Sequence, residues 1–315
     1  MYEIQKIMVV IDPTADTQPG LDRAVHIAEK TGAALELFIC YYDSVLSGKP
    51  FFDDRGLQKS RKVALERQRE SLEKMAAPLR GRGLDVSVDA VWDQPLDEGI
   101  VRKSLKDSPD LLVKDTHHHA VLRRSIFSNT DWNLIRACAC PLLLVKPNEW
   151  APEPKILAAV DPSHVADKPA SLDHDILGIA ESMGQKLDAE IHVFHCFLPI
   201  STMVAGGALA AVPLATGATM QDYEEDMEVM HKEDVKELLK GHDVEEKNVH
   251  VVPGSPATTL PSFADLGHFD LVVMGAVARS RLERVFIGST AEGVLDQLPC
   301  DVLIVKPTGF ISPHA

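Results

Sequence analysis

The 315-residue sequence has few cysteines and none of the common catalytic sequence motifs. Its five cysteines are an odd number without the spacing of a disulfide framework, so we expect reduced thiols that are mostly buried. The sequence lacks G-x4-G-K-[ST], G-x-G-x-x-G after a strand, G-x-S-x-G and H-E-x-x-H. Isolated Ser, His and Asp residues do not define a triad without geometry, so the sequence favours binding over turnover and leaves an enzymatic activity uncertain.

Targeting and membrane-spanning segments are also missing from the pattern. No basic region followed by an apolar core precedes the first strand-like stretch, which predicts residence in the cytoplasm. A stretch without charged residues lies between Cys196 and Met220, but its prolines and glycines argue against a membrane-spanning helix. Two interpretations of the segment Leu198 to Met220 stay open: a mobile apolar flap beside a binding crevice, or a loop packed on the protein itself.

Positive charge is scarce, and its distribution is uneven. Residues 1–150 hold 21 Lys and Arg against 22 Asp and Glu, a balance of −1, whereas residues 151–315 hold 11 against 25, a balance of −14. The net charge of −15 argues against nucleic acid or an anionic membrane as the main partner. Within the acidic half, Arg279, Arg281 and Arg284 lie close together in one loop. This local cluster indicates a site for an anion, although a solvated turn would look the same.

The sequence contains an internal repeat. Asp110 to Pro147 and Asp270 to Pro307 share one layout, and both halves begin with a lysine, an apolar run and Asp-Pro. A repeat of this length indicates a duplicated domain, in which each copy has its own core. We therefore predict a first domain over residues 1–147 and a second over 155–307. The proline-containing segment 147–154 would link them.

Each half alternates short Val-, Ile- and Leu-rich runs with longer stretches of helical period, which is typical of a parallel sheet covered by helices. We predict two tandem flavodoxin-like α/β domains with doubly wound, five-stranded parallel sheets. The predicted strands cover residues 5–11, 34–41, 85–91, 110–114 and 141–146, then 155–160, 189–196, 248–253, 270–275 and 301–306. Helices are predicted over 18–31, 57–81, 95–106 and 129–138. Such sheets bind ligands at the carboxyl ends of their strands.

The last part of the second half contains the clearest binding signal. Gly275 ends a predicted strand and would allow a tight turn, and Gly288, Ser289 and Thr290 begin a predicted helix. A helix start offers unpaired backbone N–H groups and a positive dipole, so this arrangement suits a phosphate. Ser289 would equally serve as an ordinary N-cap.

The layout of a strand, G-x2-G-x9-G-[ST], a helix and a final strand ending in V-K-P resembles the universal stress protein family, and the resemblance covers both halves, as in tandem members of that family. It implies a domain of the adenine nucleotide alpha hydrolase-like type, with ATP or another phosphate-bearing ligand as the cofactor. The implied contacts are Asp161 after the first strand, Cys196 at the end of the second, and Gly275, Gly288 and Ser289 around phosphate. Ala278 replaces the second glycine of the pattern.

The first half departs further from the family pattern. Asp115, His118, Ser128 and Asn129 occupy the four corresponding positions, and Asp115 places negative charge where phosphate would lie. We therefore expect no nucleotide in this half, and Asp12 would be a retained turn residue. The resemblance also implies an internal pseudo-dimer through the last strands, Leu142 to Val145 and Val302 to Val305.

Two further motifs favour structural roles over chemical ones. The run His117 to His119 has no neighbouring ligands at metal-binding spacing, which favours a solvated or pocket-lining loop over a metal site. Cys138 and Cys140 are separated by a single residue, which fits a core role better than redox chemistry.

The leading hypothesis is a cytoplasmic stress-resistance protein whose second domain binds a small anionic, partly hydrophobic ligand. Asp161 would orient a polar group, the Gly275 and Gly288 to Thr290 elements would hold phosphate, and Arg279 and Arg281 would neutralise charge. Two alternatives stay open: a slow ATPase or nucleotide-dependent transferase, and an interaction module without a nucleotide. The sequence does not identify the ligand, the protein partners or any further association between chains.

Overall fold

The computed structural model describes residues 2–47, 54–119, 124–163, 169, 171–205, 219–276 and 293–315. Contacts divide the chain into two compact units. The first unit consists of Tyr2–Glu149 together with Gly309–Ala315, and the second unit consists of Trp150–Thr308. No helix among the described residues combines the length and the apolarity needed to cross a membrane.

The first unit has a five-stranded parallel sheet in the order β3-β2-β1-β4-β7. Its strands are β1 (Lys6–Val10), β2 (Ala34–Tyr41), β3 (Val86–Trp92), β4 (Leu111–Asp115) and β7 (Leu142–Val145). Its helices are α1 (Pro19–Thr31), α2 (Asp54–Gly81), α3 (Leu96–Asp107) and α4 (Asn129–Ala137). A small antiparallel pair, β5 (His117–His119) and β6 (Arg124–Ile126), follows β4.

The second unit repeats this order as β10-β9-β8-β11-β12. Its strands are β8 (Lys155–Ala159), β9 (Glu190–Phe197), β10 (Val249–Pro253), β11 (Leu271–Gly275) and β12 (Asp301–Val305). Its helices are α5 (Ser171–Leu187), α6 (Ile200–Ala205), α7 (Met220–Leu238) and α8 (Pro256–Leu266). In both units the chain order reverses between the first strand and the fourth, which places a crevice at the carboxyl ends of those strands.

Continuous apolar runs form the central strands because helices cover both faces of a parallel sheet. Ile7, Met8 and Val9 in β1 are fully buried, and so are Leu157 and Ala158 in β8. Helix α1 begins with a proline, whose fixed φ suits the first turn, and it ends at Gly32 with a left-handed φ of 78°. The predicted fold of two doubly wound α/β domains is confirmed, with strand limits within about two residues of the prediction.

One prediction was wrong in detail, because residues His117–His119 form strand β5 of a short hairpin instead of a loop. The start of the apolar segment forms helix α6, which leaves both interpretations of that segment open. Most of the predicted flap, residues 206–218, lies outside the described residues. The last strands, β7 beside β4 and β12 beside β11, are buried along the predicted ranges, and the predicted contact between these two strands stays a prediction.

Candidate functional site

The candidate site of the second unit lies at the carboxyl ends of β8, β9 and β11. Asp161 follows β8, and its side chain is 45% exposed. Its backbone N–H donates to Asp173 Oδ1 at 3.1 Å, a contact that attaches the turn after β8 to the first turn of α5. The carboxylate of Asp161 is thus partly exposed at the place where the strand order reverses, and its role as a ligand contact stays a prediction.

Cys196 lies near the end of β9, and its thiol contacts the carbonyl oxygen of Gly254 at a sulfur to oxygen distance of 3.1 Å. Burial raises the pKa of this thiol to about 11; the hydroxyl of Thr259 acts in the opposite direction, and the charge of Asp161 adds to the rise. Asp161 is thus near enough to influence the thiol electrostatically. Cys196 is a small, un-ionised wall of the crevice at neutral pH.

Gly275 is the last residue of β11, and its role differs from the predicted one. It does not adopt a positive φ, so a left-handed turn is not what requires glycine. A Cβ atom placed there would lie 2.6 Å from Leu172 Cδ2, because α5 packs directly against this end of the strand. Glycine is therefore required at the end of β11 because any side chain there would collide with Leu172.

The structure brings Asp161, Cys196 and Gly275 to the same end of one sheet. The other predicted site residues lie outside the described residues, and no geometry is assigned to them. They are Ala278, Arg279, Arg281, Gly288, Ser289 and Thr290.

A buried chain of polar side chains adjoins this site, and sequence reasoning missed it. His195 of β9 donates from Nδ1 to the carbonyl oxygen of Val160 at 3.1 Å, and the same nitrogen lies 3.9 Å from Asp161 Oδ1. His195 Nε2 is 2.9 Å from His231 Nδ1 on α7. Ser163 Oγ lies 2.9 Å from the same nitrogen of His231 and donates to Asp234 Oδ2 at 2.7 Å.

A comparison of equivalent positions in the two halves could have indicated this buried polar cluster. When Cys40 is aligned with Cys196, Ile39 of β2 is the residue equivalent to His195 of β9. An imidazole therefore occupies a position that is apolar and buried in the first unit. His195 and His231 are 1% and 5% exposed. A buried imidazole requires hydrogen-bond partners, and here the two imidazole rings are hydrogen-bonded to each other.

In the first unit the corresponding crevice is occupied by the protein's own charged groups. Asp115, which corresponds to Gly275, accepts a hydrogen bond from the backbone N–H of Gly20 in the first turn of α1. A Cβ at residue 20 would lie 2.7 Å from Asp115 Oδ1, so glycine is what admits the carboxylate. Burial raises the pKa of Asp115 to about 6, and this hydrogen bond and the charge of Lys114 oppose the rise.

An ion pair lies in the same region of the first unit. Lys114 Nζ lies 2.7 Å from Asp131 Oδ1, and the Asp131 side chain is fully buried. Asp131 also forms a capping box with Ser128 at the start of α4, in which the Asp131 N–H donates to Ser128 Oγ at 3.2 Å. The helix start that would hold a phosphate is thus capped by its own residues.

The remaining first-unit positions have ordinary roles or no described side chain. Asp12 Oδ1 accepts from the backbone N–H and the hydroxyl of Thr14, at 2.8 Å and 2.6 Å, as a turn residue does. Asn129 is the first residue of α4. His118 lies in β5, and its side chain is outside the described part of the structure.

Comparison with known proteins agrees with the fold and the duplication. The model of the Universal stress protein family matches residues 3–146 and 154–306, and the chain belongs to this family. It is 29% identical to Universal stress protein E of Photorhabdus laumondii, over 99% of this chain and 98% of that protein. It is 27% identical to Universal stress protein E of Escherichia coli K12, over 99% and 97% respectively.

Solved structures show the same architecture over nearly the whole chain. Protein PA1789 of Pseudomonas aeruginosa PAO1, described as functionally unknown, matches with a TM-score of 0.72 at 26% identity, covering 96% of this chain and 93% of that one. A putative universal stress protein of Pseudomonas aeruginosa UCBPP-PA14 matches with a TM-score of 0.73 at 26% identity, covering 96% and 94%. The protein is therefore a tandem universal stress protein.

Proposed function

We propose that this protein acts in stress resistance in the cytoplasm and binds a small phosphate-bearing anion, such as ATP, in its second unit. The observation that carries the proposal is the contrast between equivalent positions of the two units. The first unit has Lys114 and Asp115 at the end of β4, both engaged by charged or polar partners within the crevice. The second unit has the uncharged Met274 and Gly275 at the equivalent positions, so neither of these two residues supplies an anion there.

The chemistry of the second crevice supports an anionic ligand with a polar nucleoside-like portion. The exposed carboxylate of Asp161 can accept hydrogen bonds from hydroxyl groups, and the small thiol of Cys196 leaves room beside it. Family membership makes Gly288, Ser289 and Thr290 the proposed phosphate contacts, with Arg279 and Arg281 as counter-charges and Ala278 beside them. The segment from Leu198, which is 42% exposed, would cover an apolar part of the ligand.

Calorimetric titration with ATP, ADP and AMP tests this proposal, with a matched pair of variants. Asp161→Asn should weaken binding by roughly 10- to 100-fold, because it removes a charge-assisted hydrogen-bond acceptor. Asp12→Asn, the same change at the equivalent position of the first unit, should leave the affinity unchanged.

The titration also separates the competing functions. No heat with millimolar nucleotide would refute the proposal and favour an interaction module. Equal losses from Asp161→Asn and Asp12→Asn would place binding elsewhere. Release of inorganic phosphate from ATP that falls in the Asp161→Asn variant and persists in the Asp12→Asn variant would favour a slow ATPase.

A further inference from the structure

Helices α2 and α7 occupy equivalent places in the two units, because each lies between the second and third strands of its unit in chain order. Helix α2 contains eight Lys and Arg against four Asp and Glu, a balance of +4. Helix α7 contains two Lys against eight Asp and Glu, a balance of −6. The two copies of the fold therefore carry helices of opposite charge at equivalent places.

The outer face of α2 has a short basic stripe around an exposed valine. Lys59, Val63 and Arg67 follow one another at intervals of four residues, so they share one face of the helix. All three are exposed, Val63 by 39%, and neither cation forms an ion pair within the described part of the chain. The neighbouring Lys62 is 3.9 Å from Glu66 of the same helix, so these two charges offset each other. The opposite side of α2 packs on the sheet through buried Leu57, Leu72, Ala76 and Leu79.

The outer face of α7 has the corresponding acidic stripe. Asp226, Val229 and Glu233 are spaced by three and four residues, so they also share one face. All three are exposed, Val229 by 55%, and neither carboxylate forms an ion pair among the residues that the structure describes. The neighbouring Lys232 lies 2.5 Å from Glu228 of the same helix. The opposite side of α7 is buried at His231, Val235 and Leu238.

The two stripes match in spacing and are opposite in charge. Each has a central valine with one charged side chain on either side, about 4.5–6 Å along the helix axis at a rise of about 1.5 Å per residue. When Val63 is placed against Val229, the two cations of α2 lie opposite the two carboxylates of α7. This match holds whether the helices run parallel or antiparallel, because the charges lie on both sides of each valine.

We infer that the outer face of α2 in one chain binds the outer face of α7 in a second copy of the same chain. Both faces belong to one molecule, so each copy carries the complement of the other, and charge complementarity favours this partner. The total charge of −15 opposes association, but α2 lies in the half of the sequence whose balance is −1, where that repulsion is least. Two valines and four charges form a small contact, so the association is weak and sensitive to salt.

Sedimentation velocity of the full chain tests this inference. Concentrations up to about 1 mM detect a Kd as weak as about 1 mM. The wild type should associate in about 0.1 M salt, where the Debye length is about 10 Å, and should dissociate in about 1 M salt, where it is about 3 Å. A monomer at every concentration in the lower salt, or an association that salt does not weaken, would overturn the inference.

Two double variants reverse the charge of one stripe each, and each should lower the association constant by roughly 10- to 100-fold because attraction becomes repulsion. They are Lys59→Glu with Arg67→Glu, and Asp226→Lys with Glu233→Lys. An equal mixture of the two should recover association, since the acidic α2 of one variant then meets the basic α7 of the other. Failure of the mixture to recover, with both variants folded by circular dichroism, would contradict the contact.

The control reverses two exposed lysines away from both stripes, Lys106→Glu on α3 with Lys186→Glu on α5. It changes the net charge by the same amount as the α2 variant and should associate as the wild type does. An equal loss in this control would assign the effect to net charge and overturn the inference.

A second measurement uses only the wild-type chain and so does not depend on a variant folding. Unlabelled and ¹⁵N-labelled chains are mixed and treated with a carbodiimide, which joins an amine to a carboxylate that it contacts. Peptide mass spectrometry should find Lys59 joined to Asp226 or Glu233 in peptides of mixed isotope. Cross-links of Lys59 confined to single chains would count against binding between copies.

Discussion

The carboxyl of Asp115 makes the stability of the first unit depend on pH in a defined direction. Its pKa rises from 3.8 to about 6 on folding, chiefly through burial, so the folded state prefers the protonated form. Below about pH 4 both states are protonated and burial carries no ionic penalty. Above about pH 6 both states are ionised and the full penalty applies. The contribution of Asp115 therefore makes the first unit less stable as the pH rises between these limits.

Asp115→Asn removes this penalty and retains an oxygen that accepts from the N–H of Gly20. The difference of about 2.2 pKa units corresponds to a gain of about 3 kcal/mol at pH 7.5 and about 1 kcal/mol at pH 4.5. The larger gain at the higher pH is the diagnostic feature.

Urea denaturation followed by tryptophan fluorescence suits the measurement. Trp92 and Trp132 belong to the first unit, and the third tryptophan, Trp150, is the first residue of the second. The first-unit transition therefore dominates the signal. Asp16→Asn, at an exposed carboxylate, is the matched control and should change stability little at either pH. A loss of stability in Asp115→Asn at pH 7.5, or equal gains at both pH values, would refute the reasoning.

Two further predictions concern the same crevices. Lys114→Met, which copies Met274, should lower the free energy of unfolding by about 3–5 kcal/mol in the same denaturation experiment, because it leaves buried Asp131 without its counter-charge. Adding Asp131→Ala should restore most of this lost stability. An unchanged midpoint for Lys114→Met would contradict the prediction. The thiol of Cys196 has a pKa of about 11 against the ordinary 9.0, so it should react with iodoacetamide roughly 100-fold more slowly in the native protein than in urea. Peptide mass spectrometry measures both rates. Equal rates would show that the thiol is ionised in the native protein.

Most of the fold follows from local sequence pattern. Strands such as β4 and β12 are buried on both faces, so each appears as a short apolar run bounded by turn residues. The β5–β6 hairpin was not predicted, because each of its strands has only three residues and neither shows an alternation of apolar and polar side chains.

The site was only partly predictable. Asp161 and Cys196 follow from topology, because the carboxyl ends of neighbouring parallel strands meet at one edge. His195 and His231 are 36 positions apart and joined only by tertiary packing, so no spacing rule connects them. The steric reason for Gly275 was likewise invisible, since it depends on Leu172 of a different element.

The carboxylate of Asp115 on the N–H of Gly20 gives the duplicated chain two unequal copies. One copy holds an anion that is part of its own chain and cannot diffuse away, and this anion titrates with pH. If the second unit binds as proposed, one copy responds to a dissolved ligand and the other to pH, so the duplication gives a single chain two separate inputs.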